Sequence, residues 1–396
     1  MLEEYSMYDV IVIGGGPSGL MAAKKSSELS TKTLLVEKEG AFGSKPCAEG
    51  ISKQTVLDAE LTPSSSFVEN EITEVEVYAP DENKKVNILR ASEGDSGYII
   101  NKKAFLETLA ESAKSKGTEI WMNAKAIDVF KENDLVKVIV QKDREIFKLK
   151  SRIVIGCDGF ASIVAKKFFD RKNYELISCI QYTMDGCRLE KENRMEIYLG
   201  KERAPLGYLW IFPKGNKKAN VGVGVRKGVA KFYLDKFIKD HPEKFEDSRV
   251  IKVGGAPVPI SGTIDEFLGD NLMLCGDAAG QVIPLTGAGI HTSIIAGKIA
   301  GEVAGKAIKA ENASRSMLVK YAERFNEVYG NRIKKSLKGL RVIEKLSDEE
   351  LNMLADILKG QDIIDIANGL DVERVAKFLF QHPIFSIKMA KLLLSK

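Results

Sequence analysis

Three groups of residues in this chain have the types and spacing to do chemistry. The first is Gly14-x-Gly16-x-x-Gly19, between the apolar run Tyr8–Ile13 and a helix-periodic stretch reaching about Ser30. Gly14 permits a tight turn, Gly16 lets backbone approach a pyrophosphate, and Gly19 lets a helix pack closely on a strand. Pro17 and Ser18 fall where the free N–H groups and positive end of that helix would meet phosphates. Glu37, followed by Lys38, closes the next apolar run, Thr33–Val36, 18 residues beyond Gly19. A carboxylate there accepts hydrogen bonds from ribose hydroxyls and repels a 2′-phosphate.

The second group follows the apolar run Leu272–Cys275: Gly276-Asp277, then Pro284, Gly287, Gly289 and Ile290. A carboxylate at that strand end suits a ribityl hydroxyl. The Gly287-Ala-Gly289 turn opens a helix whose N–H groups can face the N1–C2=O edge of a flavin and stabilise the negative charge of its reduced form. A simple NAD dehydrogenase has no use for this late segment, so the cofactor expected is FAD. The third group is Pro205-x-x-Tyr208-x-Trp210-x-Phe212-Pro213. In a strand the three aromatics share one face. They would make an apolar wall with two polar tips, although a plain sheet core could carry the same triplet.

These groups need a scaffold, and the chain offers an α/β one. The opening reads as a βαβ unit of Rossmann type. Residues 101–117 read as a helix, and 118–158 as strands ending in Cys157-Asp158-Gly159. Alternating apolar and polar residues over 176–260 predict a mostly antiparallel sheet. From about 312 onward nearly everything has helical period, and Ser347-Asp-Glu-Glu350 is a capping-box start. The expected organisation is a discontinuous FAD-binding domain at 1–175 and 265–310, with 67–100 partly strands of the substrate side. A substrate-binding sheet at 176–264 and a helical region at 311–396 complete it.

Composition sets the class. The chain has 396 residues, 44% hydrophobic and 29% charged, which excludes a wholly disordered or disulfide-stapled protein. A net charge of +4 is too weak to argue for nucleic acid. Five cysteines and three histidines show no ligand spacing, so no metal site is expected and the thiols read as reduced. Met1–Val10 carries Glu3, Glu4 and Asp9 and does not read as a signal peptide. Cytoplasmic placement, with peripheral contact at the inner face of the cell membrane, is the expectation.

The opening glycines, Cys157-Asp158-Gly159 and Gly276-Asp277 stand in the order seen in the aromatic-hydroxylase-like FAD superfamily, which the chain resembles over most of residues 1–310. That superfamily often follows Asp-Gly with a Ser and then a basic residue three further on. Here Ser162 is followed by Ala165, with Lys166 next. Within it, P-x-x-Y-x-W-x-F-P resembles the signature of the geranylgeranyl reductase family. Lys45-Pro46-Cys47-Ala48-Glu49-Gly50 is similar to that family's Cys-containing flavin loop. Gly97–Phe105 matches weakly, with Lys102 where relatives often have Arg, and Leu346–Leu351 is similar to the archaeal members. The resemblance covers almost the whole chain. It implies that Cys47, Ala48, Gly50, Lys102, Ala126, Asp277, Gly289 and Ile290 fall around FAD. It also implies reduction of isolated double bonds in geranylgeranyl chains, in the archaeal branch those of digeranylgeranylglycerophospholipids.

An isolated alkene needs a hydride and a proton. Reduced flavin N5 would give the hydride. Cys47, Glu49, Tyr208 and flavin-bound water are the candidate acids, Cys47 first among them. Trp210 and Tyr208 would steady a developing tertiary cation. One GxGxxG leaves no second nicotinamide domain, so electrons come from an external donor, with NADPH, NADH, ferredoxin and a deazaflavin all open. His291 reads as hydrogen-bonded structure rather than an acid. The basic run at 332–345 and the apolar, basic end Ile384–Leu394 are candidates for an anionic membrane surface. The alternatives are an FAD-dependent monooxygenase or halogenase on the same fold, and a lipid carrier with a vestigial flavin.

Overall fold

Val10–Ile13 is a continuous apolar run, the pattern of a strand covered on both faces. It forms the end of β1 (Ser6–Ile13) and is fully inside. The computed structural model describes residues 6–89, 96–371, 373–375 and 377. Around β1 the parallel strands β2 (Thr33–Val36), β8 (Glu119–Trp121), β11 (Glu145–Gly156) and β18 (Leu272–Leu274) align in one sheet. The short β17 (Leu268–Gly269) closes one edge, and the antiparallel β9 (Ala124–Glu132) and β10 (Leu135–Lys142) extend from β11. All three glycine and aspartate signals end strands of this sheet, so they meet at its carboxyl edge, where ligands of open α/β sheets sit.

Helices α1 (Pro17–Ser27), α3 (Lys102–Ser115) and α7 (Ile290–Lys309) bury this sheet. Small residues let α7 pack closely against α1: a Cβ at Gly297 would lie 2.1 Å from the Ser18 carbonyl oxygen, and one at Gly301 2.3 Å from that of Ala22. The helix begins at Ile290, just past the turn at Pro284–Gly289.

Glu60 pins this pair of helices. Just past α2 (Lys53–Asp58), it reaches Lys24 at 3.0 Å, Lys25 at 2.7 Å and Lys298 at 3.0 Å. Burial alone would raise its carboxyl, but the three lysines bring it down to about 2. A depressed carboxylate contributes stability above its unfolded value of 4.5 and loses it as pH falls toward 2. In acid-unfolding curves Glu60→Gln should therefore be less stable than the parent at neutral pH and show a shallower loss between those two pH values. A parallel offset at every pH would contradict this account.

The second sheet runs β16 (Arg249–Pro259), β12 (Leu176–Asp185), β15 (Lys218–Val225), β14 (Tyr208–Gly215), β13 (Arg194–Tyr198), β5 (Glu74–Tyr78), β6 (Lys85–Leu89). It is antiparallel except at β13–β5, where β5 and β6 from residues 74–89 join it. Strands β3 (Gly50–Ser52), β7 (Gly97–Ile100) and β4 (Val68–Ile72) form a small third sheet between the two. Leu209 and Ile211 of β14 point to one face, against Leu234 and Phe237. Those two belong to α5 (Ala230–Asp240), which with α6 (Pro242–Phe245) interrupts the segment expected to be a mostly antiparallel sheet. Leu234 and Phe237 lie three residues apart, a helical spacing that strand alternation nearby obscured.

The small α4 (Ile163–Phe168) is capped by Ser162, whose Oγ accepts from Ala165 N at 2.9 Å. The tail contributes α8 (Arg315–Phe325), a π-turn at Asn326–Gly330, α9 (Asn331–Ile343), α10 (Asp348–Ile357) and α11 (Gly360–Asn368). The expected Ser347–Glu350 capping box starts α10. Leu351, Leu354 and Leu358 pack with Leu199 beside β13, so the tail covers the far end of the second sheet. Ile384–Leu394 lies outside the described residues.

Candidate functional site

The two sheets and the tail enclose one continuous cavity of about 2580 Å³. Ordinary small-molecule sites run to about 1,000 Å³, so this one has room for a dinucleotide and a second large ligand together. Its polar end lies at the glycine turn. Gly14 has φ +105°, and a Cβ there would lie 2.3 Å from the Cys157 carbonyl oxygen. A Cβ on Gly19 would lie 1.8 Å from the Gly14 oxygen. These two glycines shape the turn, and Gly19 lies behind the wall. Gly16 differs: nothing stands within 4 Å of its position, which opens into the cavity beside Pro17 and Ser18.

Two helix N-termini face this one cavity. Neither α1 nor α7 has a side-chain cap or an acidic residue in its first turn. Their free N–H groups and positive dipole ends suit one anionic group each. That is the donor set an FAD pyrophosphate and a reduced isoalloxazine edge require, so the residues present fit the cofactor. Glu37 sits at the same end, its Oε2 accepting from Gly15 N at 2.6 Å and its Oε1 from Glu39 N at 2.9 Å. Lys38 and Ala126 line the wall nearby. Asp158 and Gly159 line it too, although Asp158 Oδ2 also accepts from Ile163 N at 2.7 Å at the start of α4. Burial raises the Asp158 carboxyl.

The Cys47 loop crosses from the first sheet to the second. Gln181 Nε2 donates to the Cys47 carbonyl at 3.0 Å, and Asn220 Nδ2 to that of Ala48 at 3.2 Å. Glu49 has φ +72°, an unfavourable conformation for a residue with a side chain. It is held there by Lys214, by Asn220 at 2.9 Å and by the Lys102 N–H at 3.1 Å. Lys102, buried at the start of α3, donates to the Lys45 carbonyl, and burial lowers its ammonium. Lys45 pairs with Asp277 across the cavity, so Asp277 has a partner in the protein as well as a place beside Gly289. Pro284, Gly287 and Ile290 complete this wall.

Tyr208, Trp210 and Phe212 do share the cavity face of β14. Tyr208 and Trp210 meet edge to face at 5.9 Å. The Tyr208 hydroxyl donates to the Thr286 carbonyl, and burial pushes its phenol upward. Trp210 Nε1 donates to Gln181 Oε1 at 3.2 Å, and Phe212 lies against Gly50. Pro205 and Pro213 differ from the expectation: neither lines the cavity. Their carbonyls accept from Arg226 N at 3.1 Å and Asn70 Nδ2 at 2.9 Å, so they frame the strand rather than touch a ligand.

The other end of the cavity was not anticipated. Val75, Val77, Val86 and Ile88 of β5 and β6 face Leu354, Leu358 and Ile363 of the tail across it. No short motif marks these residues. Their sequence signal is only alternation and helical period, which any core gives. Gln181 and Lys45 were missed for the same reason: single polar residues gain meaning only from what the fold sets beside them.

Residues 7–175 match a family described as an FAD binding domain, and 175–258 the geranylgeranyl reductase catalytic domain. A protein named digeranylgeranylglycerophospholipid reductase from Methanocaldococcus jannaschii is 39% identical over 95% of this chain and 96% of its own length. A Methanopyrus kandleri protein named digeranylgeranylglycerophospholipid reductase 2 is 35% identical over 97% and 98%. A Thermoplasma acidophilum structure described as geranylgeranyl bacteriochlorophyll reductase-like superposes with TM-score 0.88 at 31% identity, over 98% of this chain and 100% of that one. The flavin-dependent brominase Bmp2 shares the fold alone, at TM-score 0.73 and 16% identity over 92% and 94%.

Proposed function

This chain belongs to the geranylgeranyl reductase family, and on that premise we propose that it is an FAD-dependent reductase saturating C=C bonds of geranylgeranyl chains. Digeranylgeranylglycerophospholipids are its substrates, and archaeal membrane-lipid biosynthesis is its setting. The observation that carries this reading is the single cavity, polar and uncapped-helix-lined at one end and aliphatic along the other, with Tyr208, Trp210 and Phe212 between.

Reduced FAD, when bound, supplies the hydride. Gly16, Pro17 and Ser18 would hold its pyrophosphate, Glu37 its adenosine ribose, and Asp277 with the α7 N-terminus its flavin half. The chain's own work is to orient the alkene, exclude water and deliver a proton. Protonation of a trisubstituted alkene builds charge on its tertiary carbon. The Trp210 and Tyr208 faces attract that charge by about 2 kcal/mol when desolvated, near thirtyfold in rate. Positioning of the chain along the apolar walls supplies further rate.

Cys47 is the proton donor of this account. Glu49 has its carboxylate occupied by Lys214, Asn220 and the Lys102 N–H. Tyr208 has its proton committed to Thr286 and a phenol weakened as an acid by burial. Incubating the protein with dithionite and a digeranylgeranylglycerophospholipid should raise the lipid's mass by two hydrogens per step. Unchanged lipid would overturn the reading.

Among the described residues no helix is long and apolar enough to cross a membrane. Peripheral contact is our proposal. Lys334 and Lys338 of α9 are exposed one turn apart at the cavity rim. Val229 and Phe232, 69% and 62% exposed, sit among Lys227 and Lys231. Each lysine near an anionic surface adds about 1 kcal/mol of attraction. The double variant Lys334→Glu/Lys338→Glu should sediment at least about tenfold less with phosphatidylglycerol vesicles, and no differently with phosphatidylcholine. Equal sedimentation with both would remove α9 from the contact.

A further inference from the structure

Three side chains that the mechanism leaves unused form a hydrogen-bonded chain in the cavity wall. His291, in the first turn of α7, joins Asp58 Oδ2 through Nε2 at 2.7 Å and the Tyr329 hydroxyl through Nδ1 at 2.8 Å. Asp58 ends α2, and its side chain is 25% exposed. Tyr329 lies in the π-turn, is only 2% exposed, and lines the cavity along with His291. The chain therefore runs from a carboxylate that meets solvent to a phenol at the cavity.

The surroundings suit proton transfer rather than a fixed ion pair. Arg332 of α9 stacks over the Tyr329 ring at 4.7 Å instead of taking the Asp58 charge. Phe325 stacks with the same ring at 5.9 Å. Asp277 stands beside Gly289, on the turn leading into α7. Burial raises the Tyr329 phenol, so it does not stand as a free phenolate and gives up its proton only as another arrives from His291. An imidazole that accepts at one nitrogen and donates at the other is the natural middle member.

We propose that Asp58, His291 and Tyr329 form a relay that returns a proton to the cavity after each double bond is reduced. This rests on the reductase reading, since each saturation consumes one hydride and one proton inside an apolar chamber. The Tyr329 O–H bond breaks as its proton passes to cavity water. In the same step His291 Nδ1–H protonates the phenol oxygen and Nε2 takes a proton that Asp58 has drawn from solvent; the ring, 29% exposed, then returns from its Nε2–H to its Nδ1–H tautomer by exchange with solvent. No electrons move, and the cavity acid is restored to its protonated form. His291 and Tyr329 are relay residues here, since the first proton needs neither.

Tyr329→Phe tests this in the holoenzyme, because it keeps the ring stack and removes only the hydroxyl. With FAD content equal to the parent's, the first double bond should be saturated at the parental rate. Later ones should run at least about tenfold slower, with a larger solvent deuterium isotope effect. A parental steady state, or equal slowing of every step with raised KM, would overturn the relay. A second readout is independent of turnover. The chain has three histidines, so ¹⁵N-histidine spectra of the oxidised holoenzyme can be assigned through His291→Gln. The His291 Nδ1 signal should move in Tyr329→Phe, and an unmoved signal would overturn the hydrogen bond itself. Parent enzyme that leaves the lipid unreduced, with that signal moving as expected, locates the failure in the reductase reading and removes the relay's purpose with it.

Discussion

Gly16→Val should give a folded protein that purifies without its yellow colour. The position has φ −78° and extended ψ, which a valine adopts freely. Apart from its own chain neighbours, no protein atom lies within 4 Å of the added Cβ, so nothing in the apo fold opposes it. What a side chain there meets is the space in front of the α1 N-terminus. If the FAD pyrophosphate sits there, three new carbons displace it from the free N–H groups. The loss should exceed about a hundredfold in affinity, near 2.8 kcal/mol. FAD fluorescence titration of the apo-protein measures it, with circular dichroism and thermal unfolding as controls. Gly14→Ala and Gly19→Ala should differ from it by failing to fold, since their Cβ atoms collide with backbone. A yellow, parent-like Gly16→Val would mean that the dinucleotide lies elsewhere.

Cys47→Ala should do the reverse, keeping FAD and losing turnover. The loop's shape depends little on the thiol. Gln181 holds the Cys47 carbonyl, Asn220 holds that of Ala48, and Lys214 and Asn220 hold Glu49. The thiol itself accepts one weak bond, from Glu49 N at 3.3 Å. Removing it therefore removes an acid and leaves the wall in place. Loss of a positioned general acid costs on the order of 10²–10⁴ in rate. The expected signature is a fall of that size in kcat, with KM for the lipid and flavin content nearly unchanged. Full turnover by this variant would remove Cys47 from the mechanism and return the proton to water.

What could be read from the sequence follows from how local each signal is. Gly14, Gly16 and Gly19 are each required by a contact within one βαβ turn, so the pattern carries its own geometry. Tyr208, Trp210 and Phe212 share a face because period-two alternation is a backbone property. Pro205 and Pro213 belong to the same string yet turn out to frame the strand, since the string alone cannot tell a wall residue from a corner. Asp277 was legible as a strand-end carboxylate, but Lys45 opposite it was not, because 232 residues separate the two. Nothing local to Gly297 and Gly301 of α7 says that α1 is what they meet. The Asp58–His291–Tyr329 chain joins three elements far apart in sequence, and a lone histidine gave no hint of it.

The central claim is that one cavity holds the flavin and the prenyl chain together, so that reducing equivalents pass directly between them. The most direct test is an anaerobic single-turnover experiment on the FAD-loaded protein, reduced with dithionite freed of excess. Digeranylgeranylglycerophospholipid is added, and the flavin spectrum and the lipid mass are recorded on the same samples. The account predicts that each flavin reoxidised matches one pair of hydrogens gained by the lipid. Reduced flavin that persists beside unchanged lipid, and is consumed only when air is admitted, would contradict it.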